Sequence, residues 1–162
     1  MNNTNNHLEI ERKYLVKDDS YKQLATQQIP ILQGYLHTGD NCSVRIRRWA
    51  DTAYLTIKSH VGAGELARYE IEKEVSVEEA IILLGMCISG KIEKTRWIVP
   101  MADGLVCEVD EFFGDNAGLV MAEVELSDKD QAFDKPAFLG EEVTNDGRYY
   151  NSYLSRHPYI TW

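Results

Sequence analysis

The stretch HLEIERKYLV, residues 7–16, places Glu9, Glu11 and Lys13 at every second position, with Leu8 and Ile10 between them. On a β-strand, side chains two apart share a face, so two carboxylates and an ammonium stand together and the other face is mostly apolar. A solvated sheet surface explains one such strand. It does not explain the pattern's return along the chain.

SVRIRRW repeats the device with Arg45 and Arg47, AYLTIKS with Thr56 and Lys58, and ARYEIEK with Arg68, Glu70 and Glu72. IEKTRWIV carries Lys94 and Arg96, LVCEVDEF carries Glu108 and Asp110, and VMAEVEL carries Glu123 and Glu125. Neighbouring like charges destabilise a sheet, and an ordinary wet face mixes Ser, Thr, Lys and Glu. Here the pairs are like-signed: eight carboxylates and seven cations in all. Charges turned inward need partners, because a desolvated ion without one is costly. A polyanion suits the Arg and Lys set, through a planar donor fork and a point charge. Hard divalent cations suit the carboxylates. Linked phosphates with Mg²⁺ or Mn²⁺ use both sets at once.

Alternating runs at 7–16, 30–37, 42–49, 53–60, 66–75, 91–99, 105–112 and 119–126 predict eight strands, enough to close a barrel. Helices are expected at 18–28, at 76–90 and at 144–157, the second opened by a Ser76–Glu79 capping box and stopped near Gly90. The expected fold class is α+β: an eight-stranded antiparallel β-barrel with a polar, charged lumen and helices packed outside. Residues 1–6 form a polar tail and 7–162 one domain, a size that supports a substantial core.

The net charge of −9 argues against nucleic acid as the main partner. Cys42, Cys87 and Cys107 are widely spaced, so neither structural zinc nor a disulfide framework is expected. No run has signal-peptide or membrane-spanning character, which predicts a cytoplasmic protein without a membrane partner.

The ordered motifs E-x-E-x-K (Glu9, Glu11, Lys13), R-x-R, T-x-K, E-x-E, K-x-R, E-x-D and E-x-E resemble the CYTH superfamily of triphosphate tunnel metalloenzymes over residues 7 to about 154. The C-terminal PAFLGEEVTNDGRYYNSYLS is also similar to the small bacterial members. The resemblance implies a tunnel binding triphosphate between a basic and a metal-binding wall. Lys13, Arg45, Arg47, Lys58, Lys94 and Arg96 would hold phosphate. Glu9, Glu11, Asp110, Glu123 and Glu125 would hold Mg²⁺ or Mn²⁺, and Arg68, Glu70, Glu72 and Glu108 would line the tunnel. Glu9, Glu11, Lys13 and Tyr35 are the implied catalytic set; Tyr35 read alone is equally a packed aromatic.

The implied reaction is metal-dependent hydrolysis of a terminal phosphate, with inorganic tripolyphosphate the substrate that asks for least beyond phosphate contacts. Thiamine triphosphate hydrolysis, cyclic AMP formation from ATP, and polyphosphate binding without catalysis stay open. Trp49 either stacks on a substrate ring or packs at a strand end. His7, His37, His60 and His157 lie outside the paired motifs. Residues 62–64 (GAG) read as a hairpin loop, and Asp146 with Arg148 as a cap or surface pair. Whether two copies pair as a homodimer is not marked by any residue.

Overall fold

The computed structural model describes residues 10–59, 70–128 and 130–162. Glu9 and Arg68, as well as His7, His60, Lys129 and the 62–64 loop, lie outside the described residues. The alternating runs become strands β1 (Ile10–Val16), β2 (Gln27–Thr38), β3 (Cys42–Trp49), β4 (Thr52–Ser59) and β5 (Glu70–Val75). They continue as β6 (Ile92–Pro100), β7 (Val106–Phe112) and β8 (Val120–Leu126). A ninth strand, β9 (Leu139–Glu142), lies between the last expected strand and the helix expected at 144–157; its four residues are too few for alternation to register. It pairs with β1 across a bulge between Tyr14 and Val16.

The hydrogen-bonded order is β5-β4-β3-β2-β6-β7-β8-β1-β9. Among the described residues the sheet therefore has nine strands rather than the eight expected. Its end strands, β5 and β9, are not paired with each other among the described residues. The fold class is α+β, dominated by antiparallel pairing.

Helices are shorter than the sequence suggests. Residues 18–28 give only α1 (Tyr21–Leu24), because the chain is already extended from Gln27. The capping box forms as expected and opens α2 (Val77–Gly85): the Glu79 N–H donates to Ser76 Oγ, and the Ser76 N–H donates to the Glu79 carboxylate. The helix ends at Met86, before Gly90. Residues 144–157 hold a 3₁₀ turn at Gly147–Tyr149 and α3 (Asn151–Leu154).

Contacts divide the chain into two compact units. The first includes residues 32–91. One face of its β3–β4–β5 sheet is apolar and covered by α2, where Ile46, Ala53, Ala80 and Leu84 are buried with Leu32 and Val75 against them. Gly34 permits that close approach: a Cβ there would lie 2.5 Å from Cys87 Sγ.

The second unit holds residues 9–31 and 92–162. One face of its sheet carries Val99, Cys107, Val109, Ala122 and Val124, packed with Tyr21 of α1 and with Phe138. Burial there pushes the Cys107 thiol up to about 12, leaving it inert at neutral pH. The opposite face is apolar only at one end, where Phe112, Leu119 and Met121 meet Leu154 of α3. The rest of that face is charged. No helix among the described residues is long and apolar enough to cross a membrane.

Candidate active site

Strand register explains how like-signed pairs coexist. In the second unit Lys13 lies opposite Glu123, and Arg96 opposite Asp110. These two facing pairs offset repulsion along the strands, while Glu108 opposite Glu123 and Glu11 opposite Glu125 leave carboxylates facing each other. Lys13 Nζ donates to Glu123 Oε1 at 2.5 Å and to Glu11 Oε2 at 3.0 Å. Arg96 Nη2 reaches Glu123 Oε2 at 3.4 Å, Arg96 Nε reaches Asp110 Oδ1 at 2.8 Å, and Lys94 Nζ reaches Asp110 Oδ2 at 2.6 Å. Arg96 Nη1 also pairs with Glu108. The result is one chain of ions from Glu11 to Lys94.

Burial sets the protonation of this chain. It disfavours every charged form, but at Lys13 it is outweighed by Glu123 and Glu11, so the ammonium is held above the ordinary lysine value. The same competition raises Arg96, through Asp110, Glu108 and Glu123. It lowers Asp110 and Glu123, which face Arg96 with Lys94 and Lys13 respectively. At Lys94, burial and the nearby Arg96 win over Asp110, and the pKa falls. Glu108 is pushed up, by burial and by the carboxylates of Asp110 and Glu123, against the pull of Arg96.

The first unit carries the other basic group. Arg45, Arg47, Thr56, Lys58, Glu70 and Glu72 share one face, with Thr56 opposite both Arg45 and Glu72, and Lys58 opposite Glu70. Lys58 Nζ lies 3.2 Å from Glu70 Oε2, and Arg47 Nη2 lies 3.4 Å from Glu72 Oε2. Thr56 Oγ1 donates to that same Glu72 oxygen at 3.0 Å. Tyr35 sits beside Arg45, Lys58 and Arg47 and is 7% exposed. Burial holds its phenol above the usual tyrosine value despite those cations, so it remains protonated at neutral pH.

The structure thus brings Lys13, Glu11, Lys94, Arg96, Glu108, Asp110 and Glu123 together in one unit, with Glu125 opposite Glu11 on the same face. It brings Tyr35, Arg45, Arg47, Lys58, Glu70 and Glu72 together in the other. Glu11, Asp110, Glu123 and Glu125, with Glu108 beside them on the same face, offer the hard oxygen donors a divalent cation prefers. The crowding that raises Glu108 is what such an ion would relieve, so the donor set fits. Among the described residues, however, no three such side chains already form a cage, and Lys13 and Arg96 pair with Glu11, Glu108 and Glu123.

Trp49 carries the Arg47 guanidinium over its ring at 4.5 Å, and Tyr54 meets it edge-on at 6.3 Å. His157 stacks on the ring of Tyr153. Asp146 caps the 3₁₀ turn and pairs with Arg148, as a local contact. Two polar residues escaped the sequence reading. Asn151 accepts from Lys94 at 3.3 Å; its signal is nothing more than a position in the last helix. Gln33 is 1% exposed, and only its spacing of two from Tyr35 marks it.

With this geometry in view, the similarities are specific. The CYTH domain model matches residues 7–155. An inorganic triphosphatase of Acetivibrio thermocellus is 45% identical over 152 residues, covering 93% of this chain and 95% of that one. An inorganic triphosphatase of Nitrosomonas europaea is 37% identical, covering 91% and 96%. A solved crystal structure of the inorganic triphosphatase NE1496 superposes with a TM-score of 0.67 at 34% identity, over 91% of this chain and 93% of that one. The chain belongs to the CYTH domain family.

Proposed function

We propose that this protein is a divalent-metal-dependent triphosphatase that removes the terminal phosphate of inorganic tripolyphosphate. The observation that carries the proposal is the self-paired ion chain Glu11–Lys13–Glu123–Arg96–Asp110–Lys94. A polyanion and a divalent cation together can replace every partner in it: phosphate oxygens take the cations, and the metal takes carboxylates. Either ligand alone would strand half the charges. The 45% identical inorganic triphosphatase supports the same substrate.

In this proposal Arg45, Arg47, Lys58, Lys94, Arg96 and Lys13 bind and orient the phosphates and stabilise charge that develops on the transferring group. Glu11, Asp110, Glu123 and Glu125, with Glu9, hold Mg²⁺ or Mn²⁺. The bound ion would supply charge neutralisation and water activation. Asp110 already accepts from three donors, so it fixes Arg96 and Lys94 whatever else it holds. Tyr35, kept as a phenol, acts as a donor toward phosphate. Glu70, Glu72 and Glu108, with Arg68, line the site. Closure of the sheet into a single tunnel domain belongs to the same proposal.

The test is phosphate release from tripolyphosphate, thiamine triphosphate and ATP, with EDTA, Mg²⁺, Mn²⁺ or Ca²⁺. Metal-dependent release, fastest from tripolyphosphate, is expected. Preference for either organic triphosphate, or cyclic AMP from ATP, would overturn the substrate assignment.

A further inference from the structure

In the first unit, buried side-chain donors without an acceptor among the described residues include Gln33 Nε2, Arg45 Nε and Trp49 Nε1. Arg45 and Trp49 stand two β3 positions either side of Arg47, on the charged face. Gln33 belongs to that face as well. Its neighbours Leu32 and Gly34 pack against the core under α2, with Leu84 and Cys87 close to Gly34. Alternation then turns Gln33 to the side of Tyr35, which lies among Arg45, Arg47 and Lys58.

A buried amide N–H₂ left without an acceptor is a cost to the folded chain. Surface exposure cannot relieve it, because Gln33 is 1% exposed. Three donors seeking acceptors on one face call for a ligand rich in acceptor oxygens and poor in donors. A phosphate chain is such a ligand. A ligand that brought N–H groups would leave these donors unsatisfied.

We propose that Gln33 is a further substrate-binding residue, its side-chain amide donating to a phosphate oxygen of the triphosphate. This rests on the triphosphatase reading above and extends it with a neutral donor beside the Arg and Lys set. A neutral amide adds direction without charge, so it discriminates where an oxygen sits rather than merely that an anion is present.

The two possible roles of Gln33 give opposite signs in stability. If it exists to bind substrate, the free protein carries an unmet donor, and Gln33→Met, similar in size and without that donor, leaves the melting temperature unchanged or raises it. If it is a packing residue, Gln33→Met lowers the melting temperature and leaves binding alone.

The experiment measures steady-state tripolyphosphate hydrolysis and the melting-temperature shift produced by tripolyphosphate. Wild type, Gln33→Met, Gln33→Glu and Arg45→Ala are compared. The expected result for Gln33→Met is a KM raised roughly tenfold or more with kcat changed far less, and a reduced ligand-induced shift. Gln33→Glu, which replaces the donor with a charge that repels phosphate, is expected to lose more. KM and ligand shift unchanged in both Gln33 variants, while Arg45→Ala is impaired, would overturn the role of Gln33 alone. Wild type that neither binds nor hydrolyses tripolyphosphate would overturn the functional reading beneath it. Should Gln33→Met fail to fold, the donor is structural; a Gln33→Glu protein with wild-type KM would confirm that reversal.

Discussion

Arg96 and Asp110 face each other directly across β6 and β7, joined by two parallel hydrogen bonds, Nε to Oδ1 and Nη2 to Oδ2, both 2.8 Å. Asp110 is 1% exposed and also accepts from Lys94. Removing one partner leaves buried charges unmet, which typically costs about 3–5 kcal/mol. Asp110→Asn and Arg96→Met are each expected to destabilise the protein on this scale in urea unfolding. Replacing both is expected to cost less than the sum. Additive losses would mean that the pair is not coupled.

Because the Lys and Arg groups are held by carboxylates, triphosphate binding displaces negative charge that a metal can collect. Binding of the two ligands is therefore expected to be mutually cooperative. Calorimetric titration should show tripolyphosphate binding strengthened roughly tenfold or more by a non-hydrolysing divalent ion, with metal affinity raised by the same factor. Independent binding would refute the exchange of partners.

Trp49 presents its ring to Arg47, not to open solvent. Trp49→Ala is expected to raise the KM for tripolyphosphate roughly three- to tenfold, with Trp49→Phe, which keeps a ring beside Arg47 but loses the Nε1 donor, between the two. The relative preference among tripolyphosphate, thiamine triphosphate and ATP should stay the same. A loss confined to the two ring-bearing substrates would assign Trp49 to ring stacking instead.

The hydrogen bonds from Arg12 hold the Glu142 carboxyl down at about 2, against an ordinary value of 4.5. A depressed folded-state pKa stabilises fully above the unfolded value, and the contribution fades as pH falls from about 4.5 towards 2. Glu142 is partly exposed, so solvent screens the pair. Glu142→Gln should melt about 1–3 °C below wild type at neutral pH, a gap that closes through this acid window. A gap independent of pH would assign Glu142 to packing alone.

Much of this architecture is legible in the chain because period-two charge is a strong signal. Arg45 and Arg47 could be placed on one face from spacing alone, as could Lys94 and Arg96, whereas Lys58 joins the first pair only through the register of β3 with β4. The spacing did not reveal that Lys13 would be claimed by Glu123, since register is a long-range property. It arises when β1 and β8 meet across more than a hundred residues of chain. The ninth strand escaped because LGEE does not alternate, and its pairing depends on β1 already being in place. Residues 18–28 look helical by composition, yet β2 begins at Gln27 and takes the end of that stretch into the sheet. Gln33 is not legible for a simpler reason: a neutral amide among apolar neighbours carries no charge pattern.

The most direct test follows tripolyphosphate by ³¹P NMR with the protein and Mg²⁺ or Mn²⁺. Orthophosphate and pyrophosphate are expected in equal amounts as the terminal phosphate is removed, with EDTA abolishing the reaction. Persistence of intact tripolyphosphate with either metal, or turnover undiminished by EDTA, would contradict the proposed function.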